Sequence, residues 1–198
     1  MNQRGARRLS LAISDGDAIS VLVEVATAEA AGAAEEQGAD GVVVRKGDQS
    51  VRGATELPIL WCADGPDTAE AARADACLLV VRRYGEDWQR LADDHARGLE
   101  LGLDSVVEVH DEEELQHALE QIDPEIFLLA GESPDPDAAP IDHVLELLPD
   151  VPAGKLAVAY LPAATREEVE ALERAGVDAV VVDARDVREL VGAEPPRV

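Results

Sequence analysis

Short apolar runs rich in Val, Ile and Leu alternate along the chain with longer stretches in which apolar residues recur every three or four positions. The runs are almost continuous in aliphatic residues, which is typical of parallel strands buried on both faces. They predict eight strands, at Ser20–Val25, Gly41–Val44, Pro58–Cys62, Cys77–Val81, Ser105–His110, Ile126–Ala130, Leu156–Tyr160 and Ala179–Val182. The intervening stretches predict amphipathic helices at Thr27–Gln37, Asp67–Ala74, Glu86–Glu100, Asp111–Gln121, Ile141–Leu148 and Thr165–Ala175.

Residues that favour helix ends lie where these elements need them. Asp111 is followed by three glutamates, and Thr165 is followed three positions later by Glu168, so both have the pattern of an N-cap with a reciprocal glutamate. Glycines follow three of the predicted helices, at Gly38, Gly102 and Gly176. The segment Gln49–Thr55 is too short for a helix, and we predict a loop or a single turn there.

A faint internal repeat supports a regular architecture. The segment Glu36–Val44 resembles Arg174–Val182, and Ala74–Leu79 is a weaker third copy; each is a helix end that leads into a buried strand. Eight such units of roughly 25 residues predict an α/β fold of the (β/α)₈ class, a TIM barrel like the phosphate-binding barrels but with shortened helices. The alternative is an open doubly wound sheet, but no G-x-G-x-x-G motif follows any strand.

The barrel is expected to form one domain over residues 1–198. Residues 1–18 are interpreted as an N-terminal extension, in which Leu9–Ile13 is predicted to be a short strand that caps the bottom of the barrel. The segment Gly131–Pro140 contains three prolines and no periodicity, which predicts a loop. Residues 193–198 are expected to be a loose tail.

The chain is strongly acidic, with 42 Asp and Glu against 17 Lys and Arg and a formal net charge of −25. Phosphates would be repelled over most of this surface, which argues against nucleic acids and anionic membranes as partners. Lysine occurs only at positions 46 and 155. We interpret the composition as adaptation to high internal salt, as in a halophilic archaeon, because about 1 M salt screens charges beyond about 3 Å. A merely acidic mesophilic protein is the alternative.

The sequence predicts a cytoplasmic protein. It has no run of about 20 apolar residues, and no apolar signal-peptide core follows the basic residues 1–8. In that compartment Cys62 and Cys77 are expected to be reduced thiols buried on strands. The helix faces leave a homo-oligomer open, but no sharp surface patch identifies an interface.

Three blocks of the sequence, and their order, resemble indole-3-glycerol-phosphate synthase. They match the family patterns P-V-L-R-K-D-F, E-A-R-x-x-G-A-D-A-x-L-L-I-V and L-G-L-x-x-L-V-E-V-H-x-x-x-E-L at Leu57–Leu60, Glu70–Val81 and Leu101–Leu115. The similarity extends from about Ser20 to Val187. The resemblance implies a TIM barrel that closes an indole ring, with decarboxylation, on a sugar phosphate carrying a carboxyphenylamino group.

The resemblance also implies a set of site residues, of which this chain keeps only a part. Two glutamates of the family are retained, as Glu24 and Glu108. Its two lysines fall on Ala26 and Cys62, and the glycine of the strand-eight phosphate site falls on Asp183. The family's Asn motif and its strand-seven E-S-G fall on Leu129–Glu132 and Tyr160–Pro162.

These replacements predict that the family reaction is absent. Neither Ala26 nor a buried Cys62 can replace an ammonium group as a general acid. A phosphate at the strand ends needs close backbone N–H groups, and Asp183 would instead place a negative charge beside it.

Candidate site residues are those at the carboxyl ends of the strands, where the active sites of such barrels lie. We predict catalytic roles for Glu24, Glu108 and His110, with Glu108 or His110 as the base. Substrate-binding roles are predicted for Lys46, Cys62, Arg82, Tyr160 and Asp183, with Arg82 or Lys46 holding an anion. The alternative is that Glu24 and Glu108 are interior acids neutralised in salt bridges by Arg45, Arg82 or Arg83.

Other chemistries have weaker support. Glu24, Glu108, His110 and Asp183 are oxygen-rich enough for Mg²⁺ or Mn²⁺, but without a fixed-spacing motif we predict no metal, and the cofactor is unknown. Cys62 as a nucleophile would need a nearby His and a lowered pKa. The remaining histidines, His95, His117 and His143, are expected to be exposed on helices, and Trp61 and Trp88 to be packing residues.

Three functions therefore stay open. The first is a non-catalytic barrel that binds a small molecule or a partner and has a poorly formed phosphate site. The second is an acid–base lyase or isomerase that uses Glu108 and His110 on a small polar substrate, for which we expect a raised carboxylate pKa. The third is the synthase reaction itself.

Overall fold

The eight predicted strands form one closed parallel barrel in sequential order, β1 to β8, with β8 paired to β1. A computed structural model describes residues 9–16, 18–45, 49–62, 64–130, 139–183 and 187–190. The strands β1 to β8 are Ser20–Glu24, Gly41–Val44, Ile59–Trp61, Ala76–Val80, Asp104–Val109, Ile126–Ala130, Leu156–Tyr160 and Ala179–Asp183. The TIM-barrel prediction is confirmed.

Helices alternate with the strands. The α-helices α1 to α8 are Leu9–Ser14, Ala28–Glu36, Pro66–Ala71, Trp88–Glu100, Glu112–Gln121, Pro140–Leu147, Arg166–Ala175 and Val187–Leu190. Short 3₁₀ helices occupy Gln49–Gly53, Val81–Arg83 and Leu148–Asp150. The first of these is the single turn expected between β2 and β3, and it takes the place of a full helix. Pro140, predicted as loop, is the first residue of α6. No helix in the described ranges is long and apolar enough to cross a membrane.

The predicted helix ends are largely confirmed. Thr165 accepts a hydrogen bond from the Glu168 N–H and forms a complete capping box at α7. Asp111 caps α5 by accepting from the Glu114 N–H, but the Glu114 side chain turns to the backbone of His110 and does not complete a box. Gly176 ends α7 with φ of 94°, the left-handed conformation that glycine adopts most easily.

The internal repeat has a structural role at the bottom of the barrel. In each copy an aspartate lies just before an even-numbered strand, and its carboxylate accepts a hydrogen bond from a backbone N–H of the preceding strand. Asp40 accepts from Val21 at 2.8 Å, and Asp178 accepts from Ala157 at 2.7 Å. Asp75 accepts from Ile59 at 3.0 Å in the third copy. Each copy therefore ties a pair of neighbouring strands together at their amino ends.

The prediction of an extra strand at Leu9–Ile13 is wrong, because this segment is helix α1. Its apolar residues at 9, 11 and 13 alternate like those of a strand. The structure instead buries Leu9 and Ile13, one helical turn apart, and leaves Leu11 46% exposed. The helix still closes the bottom of the barrel, since Leu9 and Ile13 pack with the inward side chains of the strands.

Two layers of apolar side chains hold the barrel. Inward residues such as Leu22, Leu60 and Val106 fill its interior. Outward residues such as Val107 and Phe127 pack with the helices, and Trp61 lies in this layer, as predicted. Because side chains alternate along each strand, the inward set continues at the carboxyl ends into the polar residues of the mouth.

Candidate functional site

The arginine that directly follows β2 occupies the centre of the polar cluster at the carboxyl ends of the strands, which form the mouth of the barrel. The Nε of Arg45 lies 3.3 Å from Glu24 Oε2, and its Nη2 donates to Glu108 Oε2 at 2.9 Å. The guanidinium also lies over the Tyr160 ring, with 4.3 Å between Cζ and the ring centroid. The structure thus brings three predicted site residues together around a cation that we predicted only as a counter-ion.

Tyr160 closes this cluster on the β7 side. Its hydroxyl donates to Glu24 Oε2 at 3.1 Å. Burial and the nearby charge of Glu24 raise the pKa of Tyr160 to about 12, so that the phenol stays protonated and remains a donor at neutral pH. Glu24 therefore receives contacts from both Tyr160 and Arg45.

Glu108 is the most buried acid of the cluster, with 5% of its surface exposed. Burial alone would raise its pKa, but the hydrogen bond with His110 and the charge and hydrogen bond of Arg45 outweigh burial and lower the pKa below the ordinary value. The acid–base hypothesis expected a raised carboxylate pKa, and for Glu108 this expectation is wrong. Glu108 is an ionised partner of Arg45.

His110 contacts Glu108 directly and is itself held from two sides. Its Nε2 lies 3.1 Å from Glu108 Oε1. Its backbone N–H donates to Glu114 at 2.8 Å, and its carbonyl oxygen accepts from the Nε2 of His143 at 2.7 Å. The predicted pair of Glu108 and His110 is therefore formed, and α5 and α6 fix its position.

The role of His143 was missed, and the expectation that it is exposed is wrong. It is 8% exposed, on the same face of α6 as Val144 and Leu147. Its spacing of four from Leu147 was the available signal. His95 and His117 are half-buried rather than exposed. His117 stacks on the predicted packing residue Trp88, with ring centroids 4.8 Å apart.

Arg82 does not reach this cluster. Its Nε donates to Glu114 Oε1 at 2.9 Å, and it lies 3.7 Å from an oxygen of Asp111 at the start of α5. The alternative that Arg82 neutralises Glu24 or Glu108 is thus wrong, and Arg45 has that role. Arg82 instead holds the same Glu114 that binds the backbone of His110.

The remaining predicted residues differ in their surroundings. Cys62 is buried, and burial raises the pKa of its thiol to about 12, which is unfavourable for a nucleophile. Asp183 is half-buried at the end of β8, and its N–H donates to the Pro162 carbonyl at 2.9 Å. Lys46 lies outside the described residues. Within the described parts of the chain, no group of three His, Cys, Asp or Glu side chains could hold a metal ion.

Comparison with known proteins identifies the family. The family model "Indole-3-glycerol phosphate synthase" matches residues 66–188, more than half of the chain. The chain belongs to the indole-3-glycerol phosphate synthase family. The match includes Glu108, His110 and Asp183, whereas Glu24, Arg45 and Cys62 lie before it.

Several curated proteins named indole-3-glycerol phosphate synthase are similar to this family member. One from Variovorax paradoxus is 34% identical over 139 residues, which cover 68% of this chain and 51% of the relative. One from Acidithiobacillus ferrooxidans is 34% identical over 138 residues, covering 67% and 51%. The chain therefore matches about half the length of these relatives.

Solved structures show the same fold at low sequence identity. An N-acetylmannosamine-6-phosphate 2-epimerase from Clostridium perfringens has a TM-score of 0.65 at 17% identity, covering 84% of this chain and 86% of that one. A thiamine phosphate pyrophosphorylase from Pyrococcus furiosus has a TM-score of 0.61 at 18% identity, covering 87% and 90%. These similarities show that this synthase-family member has their barrel fold.

Proposed function

We propose that this member of the family has lost the ring-closing reaction and is a non-catalytic barrel that binds a small, non-phosphorylated ligand at its mouth. The observation that carries the proposal is the position of Arg45 between Glu24 and Glu108. The guanidinium is engaged by both retained glutamates and by Tyr160, so it is already neutralised within the protein.

The groups that would replace the two family lysines support this proposal. The methyl side chain of Ala26 has no acidic proton to transfer. The thiol of Cys62 is buried, and its raised pKa makes it a poor match for proton transfer near neutral pH. Glu108 is held ionised by Arg45 and His110, and an ionised carboxylate cannot deliver a proton to a leaving hydroxyl.

The phosphate end of the site also supports it. The N–H of Asp183, at the end of β8, is already donated to the Pro162 carbonyl. The Asp183 carboxylate adds a negative charge where the family places a phosphate. This charge repels a phosphate dianion. A ligand without a phosphate avoids this cost.

The test is a turnover assay with 1-(2-carboxyphenylamino)-deoxyribulose phosphate in molar KCl, which follows loss of substrate fluorescence and formation of the indole product. We expect no turnover above that of buffer, whereas the Variovorax relative, assayed in its own buffer, serves as a positive control. Turnover that is abolished by Glu108→Gln but kept by Glu113→Gln, an exposed neighbour on α5, would contradict the proposal and restore the synthase reaction.

A second candidate is the acid–base lyase or isomerase. The contact of 3.1 Å between Glu108 and His110 favours it, because an ionised carboxylate can orient an imidazole that acts as base. The measurement uses a small molecule that has first been shown to bind. NMR then detects the exchange of its carbon-bound hydrogens for deuterium in D₂O. Exchange that requires both Glu108 and His110 would establish this function over the non-catalytic one.

We further propose that the chain works in a cytoplasm of high salt. Its net charge of −25 opposes compaction unless salt screens it. The midpoint of thermal unfolding should rise between dilute and molar KCl. A midpoint that stays constant or falls over this range would favour the acidic mesophilic alternative.

A further inference from the structure

A cleft of about 330 Å³ opens at the bottom of the barrel, at the opposite end from the cluster around Arg45. It lies between the second half of α4 and the end of α5, beside the amino ends of β5 and β6. The site described above uses none of its lining residues. The lining combines apolar side chains with a few polar groups, which is the usual composition of a site for a small molecule.

Four apolar side chains form the floor and walls of this cleft. Leu103 and Ile126 are 3% and 1% exposed, so they form its floor. Ile122 is half-buried at the end of α5, and Leu99 on α4 is 59% exposed. Among the large apolar side chains that the structure describes, Leu99 is the most exposed. A hydrocarbon group bound here would cover apolar surface that now faces water, which is favourable.

A buried aspartate presents one free oxygen to the cleft. Asp104, the first residue of β5, is only 9% exposed. Its Oδ2 accepts the backbone N–H of Ser10 at 2.9 Å. Its other oxygen receives no hydrogen bond, and its carboxylate forms no ion pair, within the described parts of the chain. Because Asp104 lines the cleft, this oxygen is available to a donor that enters it, and a hydrogen bond to an ionised carboxylate is a strong one.

A second polar atom of the lining also has no partner. The Nδ1 of His95, on α4, is buried and forms no hydrogen bond with any part of the chain that the structure describes. Burial lowers the pKa of His95, against the nearby charge of Glu125, so the imidazole is neutral at neutral pH. A neutral imidazole can carry its proton on Nε2 and present Nδ1 as an acceptor. The cleft therefore offers two acceptors to one ligand.

The charge of the cleft favours a cation. Three carboxylates line it, those of Asp104, Asp123 and Glu125, and none of its described lining residues is a lysine or an arginine. Asp123 is neutralised by Lys155, whose Nζ lies 2.8 Å from Asp123 Oδ1. Since His95 is neutral, the negative charges of Asp104 and Glu125 have no counter-charge in the lining.

We propose that this cleft binds a primary ammonium ion with an apolar body, with the ammonium group at Asp104 and His95 and the body on the apolar floor and walls. An ammonium group carries three donors and one positive charge, which match the two free acceptors and the uncompensated negative charge. The site is separate from the mouth, so the inference goes beyond the proposed function and does not depend on it.

Titration calorimetry in molar KCl at neutral pH compares three ligands of equal chain length. Hexylamine, which is protonated at this pH, should bind to one site at least about tenfold more tightly than hexan-1-ol. Hexanoate should bind no better than the alcohol, because Asp104 and Glu125 repel it. No binding of hexylamine, or binding of hexanoate as tight as that of hexylamine, would overturn the proposal.

Variants locate the site. Asp104→Asn keeps an oxygen for the Ser10 N–H but removes the charge, so it should weaken hexylamine binding by about tenfold and leave hexan-1-ol binding unchanged. Asp178→Asn is the matched control, because the carboxylate of Asp178 also accepts a backbone N–H at the bottom of the barrel. It should change neither ligand. Leu99→Ala removes apolar contact and should weaken both ligands alike, by about threefold.

Other outcomes would overturn the inference. Hexylamine binding that Asp104→Asn leaves unchanged would show only general attraction of a cation to a chain of net charge −25. Binding that is lost in Glu24→Gln but kept in Asp104→Asn would place the amine at the mouth. If circular dichroism shows that Asp104→Asn does not fold, Glu125→Gln at an exposed position should weaken hexylamine binding alone by about two- to fivefold, and no change would contradict the site.

The two proposals fail separately. Failure of hexylamine to bind refutes this inference and leaves the proposed function at the mouth as it stands. Turnover of the synthase substrate that depends on Glu108 refutes the proposed function, and it leaves the ammonium site untouched, because no residue of the mouth cluster lines this cleft.

Discussion

Removal of the Arg45 charge is the most direct test of the mouth cluster. In Arg45→Gln, Glu24 and Glu108 lose their shared cation while Glu108 stays buried. Breaking a fully buried ion pair costs about 3–5 kcal/mol. The side chains of Arg45 and Glu24 are 19% and 28% exposed, so solvent screens part of the effect. We therefore expect the free energy of unfolding to fall by about 2–3 kcal/mol at neutral pH.

The loss should depend on pH in a defined direction. In the wild type the pKa of Glu108 lies below its ordinary value of 4.5. The ionised carboxylate thus stabilises the fold above pH 4.5, and this contribution is lost as the pH falls through the folded-state pKa. Without Arg45 the pKa of Glu108 rises relative to the wild type. The difference in stability between wild type and variant should then be largest at neutral pH and shrink as Glu108 becomes protonated.

Urea unfolding in molar KCl, at neutral pH and below pH 4.5, measures both effects. Arg166→Gln is the control, because it removes an exposed i,i+4 ion pair and should cost less than about 0.5 kcal/mol. Adding Glu24→Gln and Glu108→Gln to the Arg45 variant should recover part of the loss, since no unpaired charge remains. The reasoning is refuted if Arg45→Gln costs no more than the control, or if its cost is the same at both pH values.

Three further experiments test other parts of the fold. Gly98→Ala places a Cβ 2.8 Å from Ser105 Oγ and should lower the free energy of unfolding by about 1–3 kcal/mol. Gly53→Ala, whose Cβ meets nothing within 4 Å, should change it little, and equal urea midpoints for the two variants would contradict this. Asp178→Ala leaves a backbone N–H of β7 without its acceptor and should cost about 1–3 kcal/mol. The amide oxygen of Asp178→Asn should still accept this hydrogen bond, so a larger loss for Asn than for Ala would show that Asp178 does not act as its acceptor. Because Cys62 is 3% exposed and its pKa is raised to about 12, iodoacetamide should modify it only after unfolding; rapid alkylation of the native protein, detected by mass spectrometry, would show an accessible thiolate instead.

The barrel could be predicted from the sequence because each strand is a continuous aliphatic run and each run is followed by a helix with its own start and stop residues. The same reasoning failed at α1. There the residues Leu9, Leu11 and Ile13 fit a period of two, and the spacing of Leu9 and Ile13 also fits a helical turn. Only the tertiary structure decides between the two periods, since it leaves Leu11 exposed.

The site was less predictable, because a position at a strand end indicates which way a side chain points but not which other side chains it contacts. The inward positions of Glu24, Glu108 and Tyr160 follow from alternation along the strands, and their convergence was expected. Which of the arginines after β2 and β4 would meet them depends on turns that periodicity does not describe. The turn after β4 is a 3₁₀ helix, and it directs Arg82 to Glu114 and leaves Arg45 with the two glutamates.

A barrel that keeps two acids at its mouth must also keep a cation near them, because unpaired buried carboxylates are costly. In the family pattern that charge comes from lysines on strands one and three, and here it comes from Arg45, the residue directly after strand two. A lysine ammonium with a tunable pKa can donate a proton, whereas a guanidinium does not lose its proton in proteins. Under the proposed function, the replacement that keeps the acids stable is therefore also the replacement that ends proton transfer. The inherited strands then explain why the chain belongs to the family, whereas its activity depends on the strand at whose end the positive charge lies.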